Sequence, residues 1–588
     1  MDKAPVVSRG TASPGGASPG AVSPAAVSPG GANPHRLVFA PGVKAIRDFR
    51  TGRFALFNDC EVPVSRYLVF DADESDVLAL RRGLDEEAFH AALPRQAEDY
   101  LAAFDEEGFF APPEPAADRI RHVRRGYDAA MRAREKALRQ NLEEKLESFR
   151  RDGTRPWSTF APPDSAPFVE VSLLITDACN LRCRYCHVMD NAPDLPSDKA
   201  VGVMSEATLA AFARTFVDYI RQRWGMGCLN VVFFGGQPSL KGKVRAFLCH
   251  AAAYLSAYAA RERIFIRFAI DDNGTQVDDD LIAFFKTYDV RVALSFDPPV
   301  EVNDWQRPFP GHASKSGKTV ENGLRRLLDA GVRVGLRATV SDQNQSAVRR
   351  SIEKYAAWGL TAASFIPMQD VAHGRRVTGV AAPDPAILKR EYLDAFEAVL
   401  KLYDSTGRVF DFGPITSILH RVARGGERQT CGMGDIYFAV DPKGRAFACH
   451  RDLIDRYLIG DVASPDCARR LLDAPLRQTC PQVTSFYDPD LFCEHPNACA
   501  AEAKNEVSCA ACPILAFCGG SCPAASLAHY GCTDIGVSVL VDSDPARGTE
   551  RCRVSRELVE ELFWRFIDEP PASPFRRYCT ALFGEVPA

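Results

Sequence analysis

The sequence predicts an α/β fold: a partial (β/α)6 barrel at the centre, a small N-terminal α+β module before it and a cysteine-rich C-terminal domain after it. Three observations lead there. Between about residues 168 and 410, six apolar, β-branched runs alternate with helix-length segments, the pattern of serial right-handed crossovers that build a parallel sheet. Of the 19 cysteines, 13 fall from Cys431 onward, which asks for a local, chemical explanation. The 588 residues also exceed what one hydrophobic core usually holds.

In chain order, residues 1–34 repeat Ser-Pro and Gly with little aliphatic bulk, which predicts a disordered tail. Residues 35–115 hold a short apolar segment, Phe54 to Phe70, and then helical patterns around Asp73–Arg82 and Glu98–Glu107. Residues 116–165 are rich in helix formers and charge, predicting a solvated connecting helix. Residues 166–410 carry the six runs, at 168–176, 229–234, 264–270, 290–296, 332–340 and 362–366. Six βα units suffice for an incomplete, TIM-like barrel, whose chemistry sits on loops after the strand ends. Residues 411–588 form the cysteine-rich domain.

Composition narrows the setting. The chain is 46% hydrophobic and 25% charged, and 71 basic against 76 acidic residues give a net charge of −5. Nothing in that balance calls for nucleic acid or an anionic membrane. No apolar run reaches transmembrane length, and no cationic then apolar segment opens the sequence. The expectation is a reduced cytoplasmic protein with metal-bound thiolates.

Directly after the first run stands TDACNLRCRYCHVMD, with Cys179, Cys183 and Cys186 in the spacing C-x3-C-x2-C. Three thiolates on one loop can hold three corners of a 4Fe-4S cube and leave the fourth iron open; structural zinc would want a fourth ligand. The loop resembles the signature of radical S-adenosylmethionine (SAM) enzymes. That resemblance implies that SAM chelates the open iron and is cleaved reductively to a 5′-deoxyadenosyl radical, with Tyr185 near the adenine. Later strand ends continue the match. FFGGQPS supplies Gly235, Gly236, Gln237 and Pro238, similar to the family's GGEP loop at the SAM amino group, with Gln237 where Glu is usual. Asn273-Gly274 is by itself a common turn signal. Ser295, Phe296 and Asp297 stand where the family often contacts the ribose, and Arg337 either pairs with the SAM carboxylate or forms a structural ion pair.

In the C-terminal domain, Cys431 and Cys449 precede Cys509, Cys512, Cys518 and Cys522, spaced C-x2-C-x5-C-x3-C, and then Cys552 at the opening of a helical stretch. This closely resembles the SPASM extension, which binds two auxiliary 4Fe-4S clusters; a four-thiolate zinc knuckle is the competing reading. The resemblance implies one cluster on Cys431, Cys449 and Cys522, completed by Cys480, Cys493 or Cys499 or left open. It implies the other on Cys509, Cys512, Cys518 and Cys552, with Cys532 competing for the last place. Cys60, Cys228, Cys249, Cys467 and Cys579 read as small buried hydrophobes.

Enzymes with this extension mostly modify peptides and proteins, which implies a peptide maturase that forms thioether or carbon-carbon crosslinks in a ribosomally made precursor. An external low-potential donor of flavodoxin or ferredoxin type would supply the electron. Anaerobic sulfatase maturases carry Asp after the cysteine that corresponds to Cys449; here His450 stands there. His450 or Asp452 is then the candidate base, or an outer hydrogen-bonding residue. The N-terminal module resembles, in pattern, a winged-helix element that adds a leader peptide as a strand, or it is a structural cap. A non-catalytic iron-sulfur or zinc scaffold is the alternative of another class.

Overall fold

The computed structural model describes residues 136–186 (without 164–165), 188, 202–312, 315–368, 380–424, 432–473 (without 452 and 454–456), 515–518 and 548–584, together with short strands between 38 and 111 and between 371 and 376. The six expected runs are strands: β1 (Phe168–Thr176), β2 (Cys228–Gly235), β3 (Phe265–Asp272), β4 (Arg291–Ser295), β5 (Val334–Val340) and β6 (Ala362–Pro367). Each pairs in parallel with the next. Between them run helices α1 (Glu206–Trp224), α2 (Lys243–Glu262), α3 (Asp279–Thr287), α4 (Val300–Gln306), α5 (Gly317–Asp329) and α6 (Val348–Ala357). Their starts follow capping chemistry: the Ser205 side chain accepts from Thr208 N before α1, and that of Asp278 from Leu281 N before α3.

Side chains alternate along each strand with a period of two. On the helix-facing side Val171, Leu173, Val231, Phe233, Phe268, Ile270, Val292, Leu294 and Phe365 are buried and join one core with the helices. The inner side is mixed and only partly covered: Glu170, Asn230, Arg267, Asp271, Ser295, Arg337, Thr339 and Ser364 are intermediate, beside the apolar Leu174, Val232, Phe234 and Ile366. A closed barrel packs bulky aliphatics inside. This one leaves a half-open lumen into which polar side chains project beside apolar ones, and the arginines in IFIRFAI and VRVGLRATV are the sequence sign of it.

The sheet extends past the six strands on both edges. Helix α7 (Pro385–Thr406) leads to β7 (Asp411–Phe412), which pairs in parallel with β6, and α8 (Gly413–Arg424) follows. On the other edge β8 (Tyr437–Val440) pairs in parallel with β1, and β9 (Arg445–Phe447) and β10 (Leu458–Asp461) continue antiparallel. The order is β7-β6-β5-β4-β3-β2-β1-β8-β9-β10, open at both ends. A boundary at 410 therefore does not end the sheet: the first strands of the cysteine-rich region are built onto the barrel. Phe438 on β8 is fully buried, its ring 5.4 Å from Tyr219 and 5.9 Å from Phe216 of α1. Helices α9 (Gly548–Asp568) and α10 (Pro574–Phe583) pack back on α7, with Phe575 and Tyr578 against Phe396.

The connecting helix departs from expectation. Over 136–151 it buries Leu138, Leu142 and Leu146 in the barrel core. Three leucines at i, i+4 and i+8 form a single stripe, enough to dock an otherwise charged helix. Beyond it, the Trp157 indole donates to Ile264 O and its ring stacks on Phe265. At the N-terminal end, Val43–Arg47, Arg53–Asn58 and Tyr67–Asp71 form an antiparallel sheet, and Val38–Phe39 pairs with Phe110–Ala111. The expected tail and the helical patterns at 73–82 and 98–107 lie outside the described residues. Among the described residues no helix is long and apolar enough to cross a membrane.

If β8 is part of the barrel's own core, Phe438→Ala should cost about 3–5 kcal/mol in a single cooperative unfolding transition. A separate low-temperature transition, with the barrel's own melting unchanged, would contradict this.

Candidate active site

At the carboxyl ends of β1 to β6 the strand-end loops enclose a cavity of about 240 Å³. The three thiols of the loop after β1 line it, as do Tyr185, Gly235, Gly236, Gln237, Ser295 and Arg337 from the expected SAM set, and His450 from beyond β9. Pro238 is not part of the lining. Residues 271 positions apart in sequence, Cys179 and His450, are thus brought to one chamber because β8 pairs with β1.

The cysteine loop is held from outside by the segment after α4. Arg182 N donates to Pro308 O (2.8 Å) and Arg184 N to Gln306 O (2.9 Å). From the other side, Asn180 Nδ2 donates to Thr275 Oγ1 and Asn273 Nδ2 to Asn180 Oδ1, each at 2.8 Å. The glycines of the loop after β2 are required by close approach. A Cβ on Gly235, whose φ is 127°, would sit 2.1 Å from Thr176 O, and one on Gly236 2.1 Å from Ala178 O. Both carbonyls belong to the root of the cysteine loop, so these glycines let two loops of the chamber lie backbone to backbone.

Gln237 does not mainly present its side chain to the cavity. It is buried, donates from Nε2 to Ser239 Oγ (2.7 Å) and accepts from Asn273 N (3.1 Å), and Ser239 in turn donates to Asp272. Asp272 is fully buried, and burial raises its carboxyl above the ordinary range. A glutamate at 237 would set a second carboxylate beside it, which gives the departure from GGEP a physical reason.

Asp297 differs from expectation in another way. Its carboxylate is fully buried and already occupied: it accepts from Tyr185 Oη, Gln306 Nε2 (2.7 Å), Arg307 Nε (2.9 Å) and Thr339 N (2.7 Å). Ser295 and not Asp297 is the residue of that strand end that faces the chamber. Arg337 pairs with Asp271 at 3.0 Å, both on the cavity wall. Arg307 lines the cavity with its guanidinium 5.3 Å from the centre of the Tyr185 ring; the sequence reading missed it because α4 carries no motif.

His450 packs edge-on to Phe234 at 4.8 Å and its Nδ1 bonds the Tyr437 hydroxyl, which is 2.7 Å from Ser172 Oγ. Tyr437 was invisible to the sequence reading, which did not foresee β8. Cys449 is buried beside it, Cys518 ends the short helix Leu515–Cys518, and Cys552 lies within α9. Cys431, Cys509, Cys512 and Cys522, Cys480, Cys493, Cys499 and Cys532, and Asp452 lie outside the described residues, as does Cys60. Cys228, Cys467 and Cys579 are buried as expected, whereas Cys249 is exposed, because it falls on the outer side of α2.

Residues 173–354 match the Radical SAM superfamily. The chain carries a radical SAM domain. The serine-type anaerobic sulfatase-maturating enzyme of Klebsiella aerogenes is 29% identical over 169 residues, 29% of this chain and 38% of that enzyme's length. The cysteine-type enzyme of Clostridium novyi (strain NT) is 24% identical over 303 residues, 50% of this chain and 76% of that one. Among solved structures, anSMEcpe with bound AdoMet and the Cp18Cys peptide shares the fold with a TM-score of 0.50 at 18% identity, covering 68% of this chain and 98% of that one.

Radical SAM domains work with SAM and a 4Fe-4S cluster, and the donor set of this chamber fits the cluster. Its donor set is three thiols from one loop, soft ligands suited to iron-sulfur. Among the described residues no three Cys, His, Asp or Glu side chains could hold a single metal ion, whereas a cube spreads its corner ligands apart. Burial pushes the Cys179 thiol up to about 11 and raises Cys183 further, so these thiols are neutral at neutral pH unless a metal takes the proton's place.

Gln237→Glu tests the reading of that position. The new carboxyl, buried beside Asp272, should have its folded-state pKa raised, so the variant matches the parent at low pH. Its deficit should grow as pH climbs above the unfolded carboxylate pKa of about 4.3, to about 3 kcal/mol at neutral pH. Melting curves of both proteins from acid to neutral pH measure it; a pH-independent deficit would refute it.

Proposed function

We propose that this protein is a radical SAM maturase that oxidatively modifies a peptide or protein, most specifically by crosslinking a ribosomally made precursor. The observation that carries the reading is the convergence on one chamber of Cys179, Cys183 and Cys186 with Gly235, Gly236, Ser295 and Arg337. When bound, the reduced cluster and SAM supply a carbon radical that takes hydrogen from an unreactive C–H bond. The chain's own residues do the rest. Cys179, Cys183 and Cys186 ligate iron, and the backbone at Gly235 and Gly236 lies open to the SAM amino group. Tyr185 and Ser295 would hold the adenosine and Arg337, paired with Asp271, the SAM carboxylate. The chamber walls orient substrate and exclude water.

His450 is the candidate proton acceptor from the substrate, oriented by Tyr437 and Ser172. Cys431, Cys449 and Cys522, and Cys509, Cys512, Cys518 and Cys552, are proposed as ligands of two auxiliary 4Fe-4S clusters, fed or drained by an external low-potential electron carrier. The half-open lumen and the peptide in the solved fold neighbour support a peptide substrate. The similarity to sulfatase-maturating enzymes favours a second reading, oxidation of a Cys or Ser in a sulfatase, against which stands His450 where those enzymes carry Asp.

Anaerobically reconstituted protein should hold about twelve irons and form 5′-deoxyadenosine under reductant. Replacing Cys179, Cys183 and Cys186 by Ala should remove about four irons and all SAM cleavage; retained cleavage refutes the assignment. His450→Ala should keep SAM cleavage while product formation falls by about 10²-fold or more. Tandem mass spectrometry of incubated peptides separates the readings: loss of two hydrogens with two side chains joined marks a crosslink, and an aldehyde trapped by a hydrazide at the Cys or Ser of a sulfatase-derived peptide marks the second reading.

A further inference from the structure

Arg307 and Asp297 form a buried ion pair against the cysteine loop that belongs to neither the SAM contacts nor the proposed ligands. Arg307 is 8% exposed and Asp297 0%. The guanidinium reaches both carboxylate oxygens, Nε at 2.9 Å and Nη2 at 3.3 Å. Its two neighbours in sequence, Gln306 and Pro308, accept the backbone hydrogen bonds from Arg184 and Arg182, residues that bracket Cys183. So the arginine is fixed by main chain on both flanks, by a carboxylate on one side and by the Tyr185 ring on another, and it lines the same cavity as the three thiols. Both groups stand against the loop that carries those sulfurs, the guanidinium on the cavity wall with them and the carboxylate bonded to the Tyr185 hydroxyl.

Such a pair contributes little net stability, because desolvating both ions offsets most of their attraction. What it does provide is a permanent charge at a defined place. We propose that Arg307 is a positioning residue for electrons: the fixed cation that raises the reduction potential of the cluster on Cys179, Cys183 and Cys186, with Asp297 tempering its field. The inference rests on the reading of those cysteines as cluster ligands. The oxidised cube with three thiolates carries one net negative charge and gains a second on accepting one electron from a low-potential donor; no bond or proton moves. A nearby cation stabilises the more negative state, and net charge around a cluster is among the determinants of its potential. The field is undiluted because both partners are withdrawn from water.

The test is the midpoint potential of the cluster whose electron paramagnetic resonance signal changes on adding SAM, titrated with dithionite in the reconstituted full chain. Iron content is measured alongside. Arg307→Gln should shift that potential negative and Arg307→Lys should stay near the parent, both with parental iron, while Asp297→Asn, read on the cluster it retains, should shift it positive. Shifts of the same sign in the first two, or an unmoved potential in Arg307→Gln at full iron content, overturn the proposal. So does loss of iron in both Arg307→Gln and Arg307→Lys, which would make the residue structural. A parent protein that binds no iron through Cys179, Cys183 and Cys186 instead overturns the underlying cluster reading.

Discussion

The chamber depends on one buried carboxylate. Asp297, at the end of β4, accepts from the cysteine loop through Tyr185, from the segment after α4 through Gln306 and Arg307, and from the end of β5 through Thr339 N. Its own N–H donates to Asn303 of α4 (3.0 Å). An ionised group can be this deeply buried only when its lone pairs are satisfied by good donors. Here the donors come from three pieces of chain, the cysteine loop, the end of α4 and the end of β5, so satisfying the charge fixes all three relative to β4. Loops after parallel strands are otherwise free to diverge, and this is where the barrel resists that freedom.

A second carboxylate does the same for the neighbouring wall. Asp272 at the end of β3 accepts from Ser239 and from Gly274 N (2.7 Å), tying the GGQPS loop to the turn after β3, and Gln237 completes the ring by accepting from Asn273 N. The two systems meet at the cysteine loop, Asp297 through Tyr185 and the Asp272 ring through Asn273 and Asn180. The thiols are therefore presented from a loop that is braced on both sides while its sulfurs stay on the cavity wall. Preorganisation of this kind spares a site the cost of ordering its ligands when metal arrives.

Much of this was legible in the sequence, for reasons that separate cleanly. The six strands could be read because their helix-facing sides are continuous β-branched and aromatic runs, and the thiols and glycines because their chemistry tolerates few other residues. Short or polar elements could not. β7 and β8 span two and four residues and carry no alternation long enough to register, and the docking stripe of helix 136–151 is three leucines within a charged run. Arg307 and Tyr437 act through partners distant in sequence, and neither sits in a motif. Gln237 was visible as a departure, but its reason needed Asp272 beside it.

The pairing of β8 with β1 changes what the two halves of the chain can do to each other. β1 is the root of the cysteine loop, and β8 pairs with it from Tyr437 against Glu170 to Val440 against Leu173. The same hairpin that places His450 at the chamber thus shares backbone hydrogen bonds with the strand that presents Cys179. Tyr437 crosses the seam, its hydroxyl between Ser172 of β1 and His450. Among the described residues, β8, β9 and His450 thus form a wall of the chamber that is continuous with the barrel sheet.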